Sequence, residues 1–151
     1  MTAGEDLALA RELLALLPHL GHILSASARE HSSLSIDRVK PLATLAQAGP
    51  LRAGEFAERC YLTPAAVTHA VDALVADGLA RREDDPADRR AVLLHVTAKG
   101  RRELDRVQQA AVAALVRAVE DLEPTDRAAL RQALPKLTAL LARGAASAER
   151  V

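Results

Sequence analysis

The sequence predicts a mainly α-helical chain with one small β-wing, and three observations predict it. Apolar residues recur at helical spacing over most of the 151 residues. One short segment, Ala91–Val96, instead alternates and is rich in β-branched residues, as a strand requires. Aromatic residues make up only 1%, so a core must be assembled from Leu, Ala and Val, which favours helix packing.

The stretch from Thr63 to Gly100 organises the rest. Thr63 is placed to cap a helix and Pro64 occupies the first helical position, where proline is tolerated. Val67, Val71, Leu74 and Val75 make one apolar stripe. Asp77-Gly78 stops the helix, with glycine free to take the left-handed conformation. Leu79–Arg82 is a short strand, Asp84–Arg90 a charged turn around Pro86, and Ala91–Val96 the returning strand. Thr97 caps the next helix. A helix backed by a core and followed by an arginine-tipped ribbon is the outline of a winged helix-turn-helix, whose helix fits a major groove and whose tip reaches the next minor groove.

The flanks complete the pattern. Glu5 to about Ser32 reads as one long helix with Leu9, Leu13, Leu16, Leu17, Leu20, Ile23 and Leu24 on its apolar side, kinked by Pro18. Ser35 is a cap for the helix Ile36–Gln47, which Pro41 interrupts and Ala48-Gly49-Pro50 ends. Leu51-Arg52 adds a one-rung third strand. Ala53–Cys60 is the first helix of the helix-turn-helix, with Phe56, Ala57 and Cys60 packing, and Tyr61-Leu62 is the turn. Thr97 to about Leu122 is a second long helix, uncharged from Val107 to Val116. Pro124 opens the last helix, striped by Leu130, Leu134, Leu137, Leu140 and Leu141, broken by Pro135 and followed by a disordered tail from Gly144. The chain thus divides into a winged helix over about 35–100 and dimerisation helices over about 5–32 and 101–143. One DNA-reading unit cannot cover both leucine-striped ends, whereas pairing across a two-fold axis would.

At the wing a resemblance becomes plain. Asp88-Arg89-Arg90-Ala91 within DPADRRAVLLHVTAKG, the opening Thr97-Ala98-Lys99-Gly100 and the helix ending LVADGLARR together resemble the MarR family of transcriptional regulators. The likeness covers essentially the whole chain. It implies a homodimer joined by its terminal helices, a pseudo-palindromic double-stranded DNA operator, and a small phenolic or anionic effector bound between the first helix and the DNA-binding lobe. It also implies that Arg90 enters the minor groove and that Asp88 orients the loop.

Each functional reading has a plainer alternative. Arg90 is a groove-inserting guanidinium or half of a solvated ion pair. Arg89 is a phosphate contact or an internal ion pair. The exposed face of the reading helix carries Thr63, Ala65, Ala66, Thr68 and His69, suited to phosphate, base edges and thymine methyls. His69 stands near where relatives often carry arginine or lysine, and its alternative is an ordinary surface residue. Asp72 is repelled by phosphate and should pair with a basic residue. Cys60 is a redox sensor or, on the packing side of its helix, a structural thiol. His19 and His22 lie one helical turn apart, with His31 further along. They read as a metal pair or, with Ile23, as the lining of an effector crevice; no metal or cofactor is expected.

Composition excludes other classes. Net charge is zero, which argues against a nonspecific basic binder. From Arg81 to Arg102, however, seven basic residues face four acidic ones, a local excess of three positive charges. One cysteine gives no internal disulfide and suits a reducing cytoplasm. No basic leader marks a signal peptide, and no apolar run approaches the roughly 20 residues that span a bilayer, so no membrane partner is expected. Phosphate loops and nucleophile elbows are missing, so the chain reads as no enzyme. The readings are a ligand-responsive repressor, a metal- or redox-responsive regulator of the same fold, or a helical interaction module that binds no DNA.

Overall fold

The computed structural model describes residues 3–148. Its elements are α1 (Ala3–Ala15), α2 (Leu17–His31), α3 (Ile36–Ala48), β1 (Leu51–Arg52), α4 (Ala53–Cys60), α5 (Pro64–Ala76), β2 (Ala80–Asp85), β3 (Asp88–Val96), α6 (Ala98–Glu120) and α7 (Pro124–Ala148). The three strands form one antiparallel sheet in the order β1-β3-β2. The expected rung at Leu51-Arg52 is present, pairing Leu51 with Leu94 and Arg52 with Leu93. The chain divides into two compact units, 1–112 and 113–151, with α6 running across the division.

In the first unit the core is centred on the chain's single phenylalanine. Phe56, Leu42, Leu45, Leu74 and Val107 are fully buried. Around them lie Leu34, Leu51, Val67, Val71, Leu94 and Leu104. The stripe of α5 expected from its spacing therefore packs inward, and so does Cys60, which is 4% exposed.

Several local expectations are corrected. The first helix is interrupted at Leu16 rather than bent, so α1 and α2 are separate elements, with Pro18 in the first turn of α2. Ser35 stands at the N-cap of α3 but makes no side-chain cap; the Arg38 amide bonds to the Ser35 carbonyl instead. Pro41 and Pro135 lie inside continuous helices, because each removes only one ladder bond while the flanking turns keep theirs. The last helix runs past Gly144 to Ala148, an alanine-rich end with high helix propensity, so the tail expected to be disordered from Gly144 is helical over 144–148, and its last three residues lie outside the described residues.

β2 extends to Asp85 and β3 starts at Asp88, leaving Pro86-Ala87 as the turn in place of the expected Asp84–Arg90 loop. Pairing of β2 with β3 overrides the poor strand propensity of the acidic residues, of which Glu83, Asp84 and Asp88 remain in solvent while Asp85 is buried. The stretch Gly4–His31 is long and apolar enough, by length and composition alone, to cross a membrane, which corrects the expectation that no such run exists. Its cause is that Leu13 to Ala28 carries no Asp, Glu, Lys or Arg.

The end of α5 is locked to the start of α6. Gly78, with φ of 70°, donates to the Val75 carbonyl, and the Leu79 amide donates to that of Leu74. This pair of bonds is the glycine-ended helix stop read from Asp77-Gly78. Thr97 then works in two directions. Its hydroxyl donates toward the Gly78 and Leu79 carbonyls at 2.7 and 3.1 Å, while its oxygen accepts from the Gly100 amide at 3.0 Å, capping α6. Lys99 Nζ donates to the Asp77 carbonyl at 2.7 Å. Gly100 sits so close that an added Cβ would stand 2.2 Å from the Leu79 carbonyl oxygen.

Gly100→Ala should therefore destabilise the protein by about 1–3 kcal/mol through overpacking against backbone. Gly54→Ala, with open space around it, should be neutral or slightly stabilising through its higher helix propensity. Urea midpoints measured without DNA check both; equal effects at the two glycines would contradict a close-packed junction at Gly100.

Candidate nucleic-acid interface

α5 presents two faces because its sequence does. Val67, Val71 and Leu74 hold it to the core, and Thr63, Ala65, Thr68, His69 and Asp72 are left exposed, with Ala66 half-buried. The Thr63 hydroxyl oxygen accepts from the Ala66 amide at 3.3 Å, the cap expected from the sequence. Thr68 donates its hydroxyl proton to the Pro64 carbonyl at 3.3 Å. That leaves its oxygen lone pairs and its methyl group turned outward, able to accept from a base amino group or touch a thymine methyl. Asp72 pairs with Arg82 at the foot of the ribbon, 2.6 Å apart, the basic partner expected from the sequence.

The ribbon tip is organised by a residue that sequence reasoning treated only as a negative charge. Asp85 is 6% exposed and accepts from the Ala87 amide at 2.8 Å, from Arg52 Nε at 2.9 Å and from Arg52 Nη2 at 2.5 Å. The Ala87 amide and then the Arg52 guanidinium hold its carboxyl below the usual aspartate range. In return Asp85 holds Arg52 further toward its charged form. The only signal in the sequence was an aspartate before Pro86, a turn-forming pair; the partner lies 33 residues away. Asp88 accepts from the Arg90 backbone amide at 3.1 Å, which places it as an organiser of the segment carrying Arg90.

The pairing pattern decides which cations are available. Arg81 is paired with Glu83, Arg82 with Asp72 and Arg52 with Asp85. Glu83 is held below its usual range by Arg81 and also faces His95 at 3.4 Å. Arg90 is exposed and, among the described residues, has no carboxylate partner. The Arg89 side chain lies outside the described residues.

The remaining candidates sit elsewhere. His19 and His22 are exposed on α2 and Ile23 is half-buried there. No group of three or more His, Cys, Asp or Glu among the described residues is arranged to hold a metal ion. Cys60 is buried, and its carbonyl accepts from Lys40 Nζ at 3.2 Å.

A core-backed helix beside a three-stranded sheet with an arginine-bearing tip defines a winged helix-turn-helix protein. Residues 34–92 match the MarR family. YkoM of Bacillus subtilis (strain 168), an uncharacterized HTH-type transcriptional regulator, is 33% identical over 79 residues, which is 52% of this chain and 51% of YkoM. The chain therefore spans about half the length of that curated relative in the alignment. Among solved structures, Rv1404 from Mycobacterium tuberculosis is similar with a TM-score of 0.76 and 26% identity, over 91% of this chain and 93% of that one. Sco3205 from Streptomyces coelicolor, a MarR family transcriptional regulator solved in complex with DNA, matches with a TM-score of 0.66 and 28% identity, over 95% and 92%.

Asp85 makes the tip acid-sensitive. Its folded-state pKa is depressed, so its stabilisation is present above the unfolded aspartate pKa of about 4 and is lost as pH falls through the lower folded value. Asp85→Asn should be less stable than the wild type at neutral pH, and the gap should close on acidification. Urea midpoints of both proteins from pH 7 downward test this, and a gap independent of pH would contradict it.

Proposed function

We propose that this chain is a ligand-responsive repressor that binds a pseudo-palindromic operator as a homodimer in the cytoplasm. The observation that carries the DNA-reading part is the division of labour at the interface. α5 offers short side chains to a groove, and the neighbouring ribbon pairs Arg81 and Arg82 internally while Arg90 is left without a carboxylate partner among the described residues. A permanently charged, planar head at that position suits a narrow, negative minor groove. Thr63, Ala65, Ala66, Thr68 and His69 supply the major-groove face, Asp88 places the Arg90 backbone, and Arg89 is the neighbouring contact.

Homodimerisation is supported by apolar surface in each unit. Leu9, Leu16 and Leu17 are 56%, 51% and 58% exposed, and Leu134, Leu140 and Leu141 are 51%, 59% and 65% exposed. Val112, Val116 and Val119 on α6 are open as well. A soluble chain covers contiguous apolar faces of this kind, and a second copy does so symmetrically. In such a dimer the two reading helices stand roughly 34 Å apart, one turn of DNA. His19, His22 and Ile23 on α2 are the proposed contacts of a phenolic or anionic effector, which would act by changing that separation; linkage then requires DNA to weaken effector binding equally.

Arg90→Ala should weaken binding to selected and scrambled duplexes alike, by about 1–3 kcal/mol per subunit, and should flatten the salt dependence. His69→Ala should shift half-site preference at one or two positions and leave the salt slope nearly unchanged. Salt-titrated binding on both duplexes separates the roles. The assignment is wrong should Arg90→Ala bind both as the wild type does, or should His69→Ala lose scrambled-DNA binding as severely as Arg90→Ala.

A further inference from the structure

Glu103 is a buried carboxylate that the DNA-contacting surface does not use. It lies on α6, 7% exposed, one turn beyond Gly100 and next to the core residue Leu104. Its Oε2 accepts from Ser32 Oγ at 2.6 Å, from the Ser33 amide at 3.1 Å and from Ser33 Oγ at 3.3 Å. Its Oε1 accepts from Arg106 Nη1 at 2.7 Å. Ser32 Oγ in turn accepts from the Leu34 amide at 3.0 Å, so the donors run in one direction, from the linker backbone through a hydroxyl to the carboxylate. The Ser32 bond, followed by the Ser33 amide, keeps the carboxyl below its usual range against the opposing effect of burial.

What these bonds join is specific. Ser32 is the C-cap of α2, and Ser32–Ser35 is the whole connection from α2 to α3. The same end of α6 holds the C-terminus of α5 through Thr97 and Gly100. One helix end therefore grips the reading helix at one turn and the end of α2 at the next. Apolar contact alone gives α2 little orientation: its buried residues are the small Ser27 and Ala28, and Leu24 is only partly buried. Directional hydrogen bonds from a buried charge must supply what such smooth packing lacks.

We propose that Glu103 is a positioning residue that fixes the angle between α2 and the DNA-reading unit, and so selects the half-site spacing the protein accepts. The proposal rests on the homodimer reading, in which α2 belongs to the base that joins two copies. Changing Glu103 should alter which spacing is bound while leaving each reading unit able to recognise its own half-site. A residue that merely stabilised the fold would lower binding to every duplex in proportion.

The test uses the full chain on a selected operator, on versions with one or two base pairs added between the half-sites, and on a duplex with a single half-site. The wild type should prefer the selected spacing. In Glu103→Ala that preference should fall by about tenfold, an ordinary coupling size, while single half-site affinity stays within about twofold. Glu103→Gln keeps one acceptor oxygen for the serines and should lie between the two. Should Glu103→Ala fail to fold, the double variant Ser32→Ala and Ser33→Ala keeps the carboxylate, removes the hydroxyl donors and carries the same expectation. Wild-type spacing preference in the folded variants overturns the role of Glu103 and leaves the homodimer intact. Loss of single half-site binding in step with operator binding also overturns it. A wild type without any spacing preference overturns the homodimer reading, and this role with it.

Discussion

The carbonyl oxygens of Asp77, Gly78 and Leu79 are where the reading helix, the ribbon and α6 meet. Those of Asp77 and Gly78 are end-of-helix acceptors that would otherwise look for water, and that of Leu79 also accepts from the Thr97 amide at 2.9 Å. Lys99 takes the first, Thr97 takes the second and third, and Gly100 lets α6 approach close enough for both. The orientation of α5 is thereby set from its C-terminus, by backbone geometry, and its exposed face needs no internal contacts of its own. That freedom is what allows Thr63, Ala65, Thr68 and His69 to be short, exposed side chains. The ribbon inherits the same reference, since β2 begins at Ala80 and β3 ends at Val96, the two residues that pair across its base.

Charge on the proposed interface is partly matched within the chain itself. The local excess of three positive charges between Arg81 and Arg102 is only partly matched, since Arg90, Arg101 and Arg102 are exposed without a carboxylate partner among the described residues. Arg81 and Arg82 are held by Glu83 and Asp72, and Arg52 is held by the buried Asp85. Exposed pairs of this kind contribute little to stability in water, but they lower the charge that a phosphate backbone meets. Asp85 differs from the others: it is buried, turns the chain at Pro86-Ala87, and ties the tip to β1.

Features encoded by neighbours in sequence were legible. The Thr63 cap, the Asp77-Gly78 stop, the inward stripe of α5 and the packing of Cys60 all depend on residues within a few positions, and all are present in the fold. The Asp72 pairing was legible too, because an exposed acid beside an arginine-rich ribbon has a basic partner within reach. The longer ribbon was hidden because its strands are made of residues with poor strand propensity, and only cross-strand pairing overrides that. Arg52 with Asp85 and Glu103 with Ser32 were invisible for another reason. The partners are 33 and 71 residues apart, and nothing local distinguishes a buried carboxylate from the many exposed ones. The broken first helix and the continuous α7 show the same limit for proline, which weakens a helix without deciding whether neighbouring turns carry it through.

We propose that the unit places a helix in a major groove and a wing in the adjoining minor groove, twice, on opposite halves of a two-fold site. Groove-resolved footprinting of the full chain on a selected duplex tests it most directly. Guanine N7 methylation should be blocked in two successive major grooves about one helical turn apart, and hydroxyl-radical cleavage should be suppressed in the minor grooves flanking them. Protection confined to one groove type, or spread evenly along the duplex, would contradict the account.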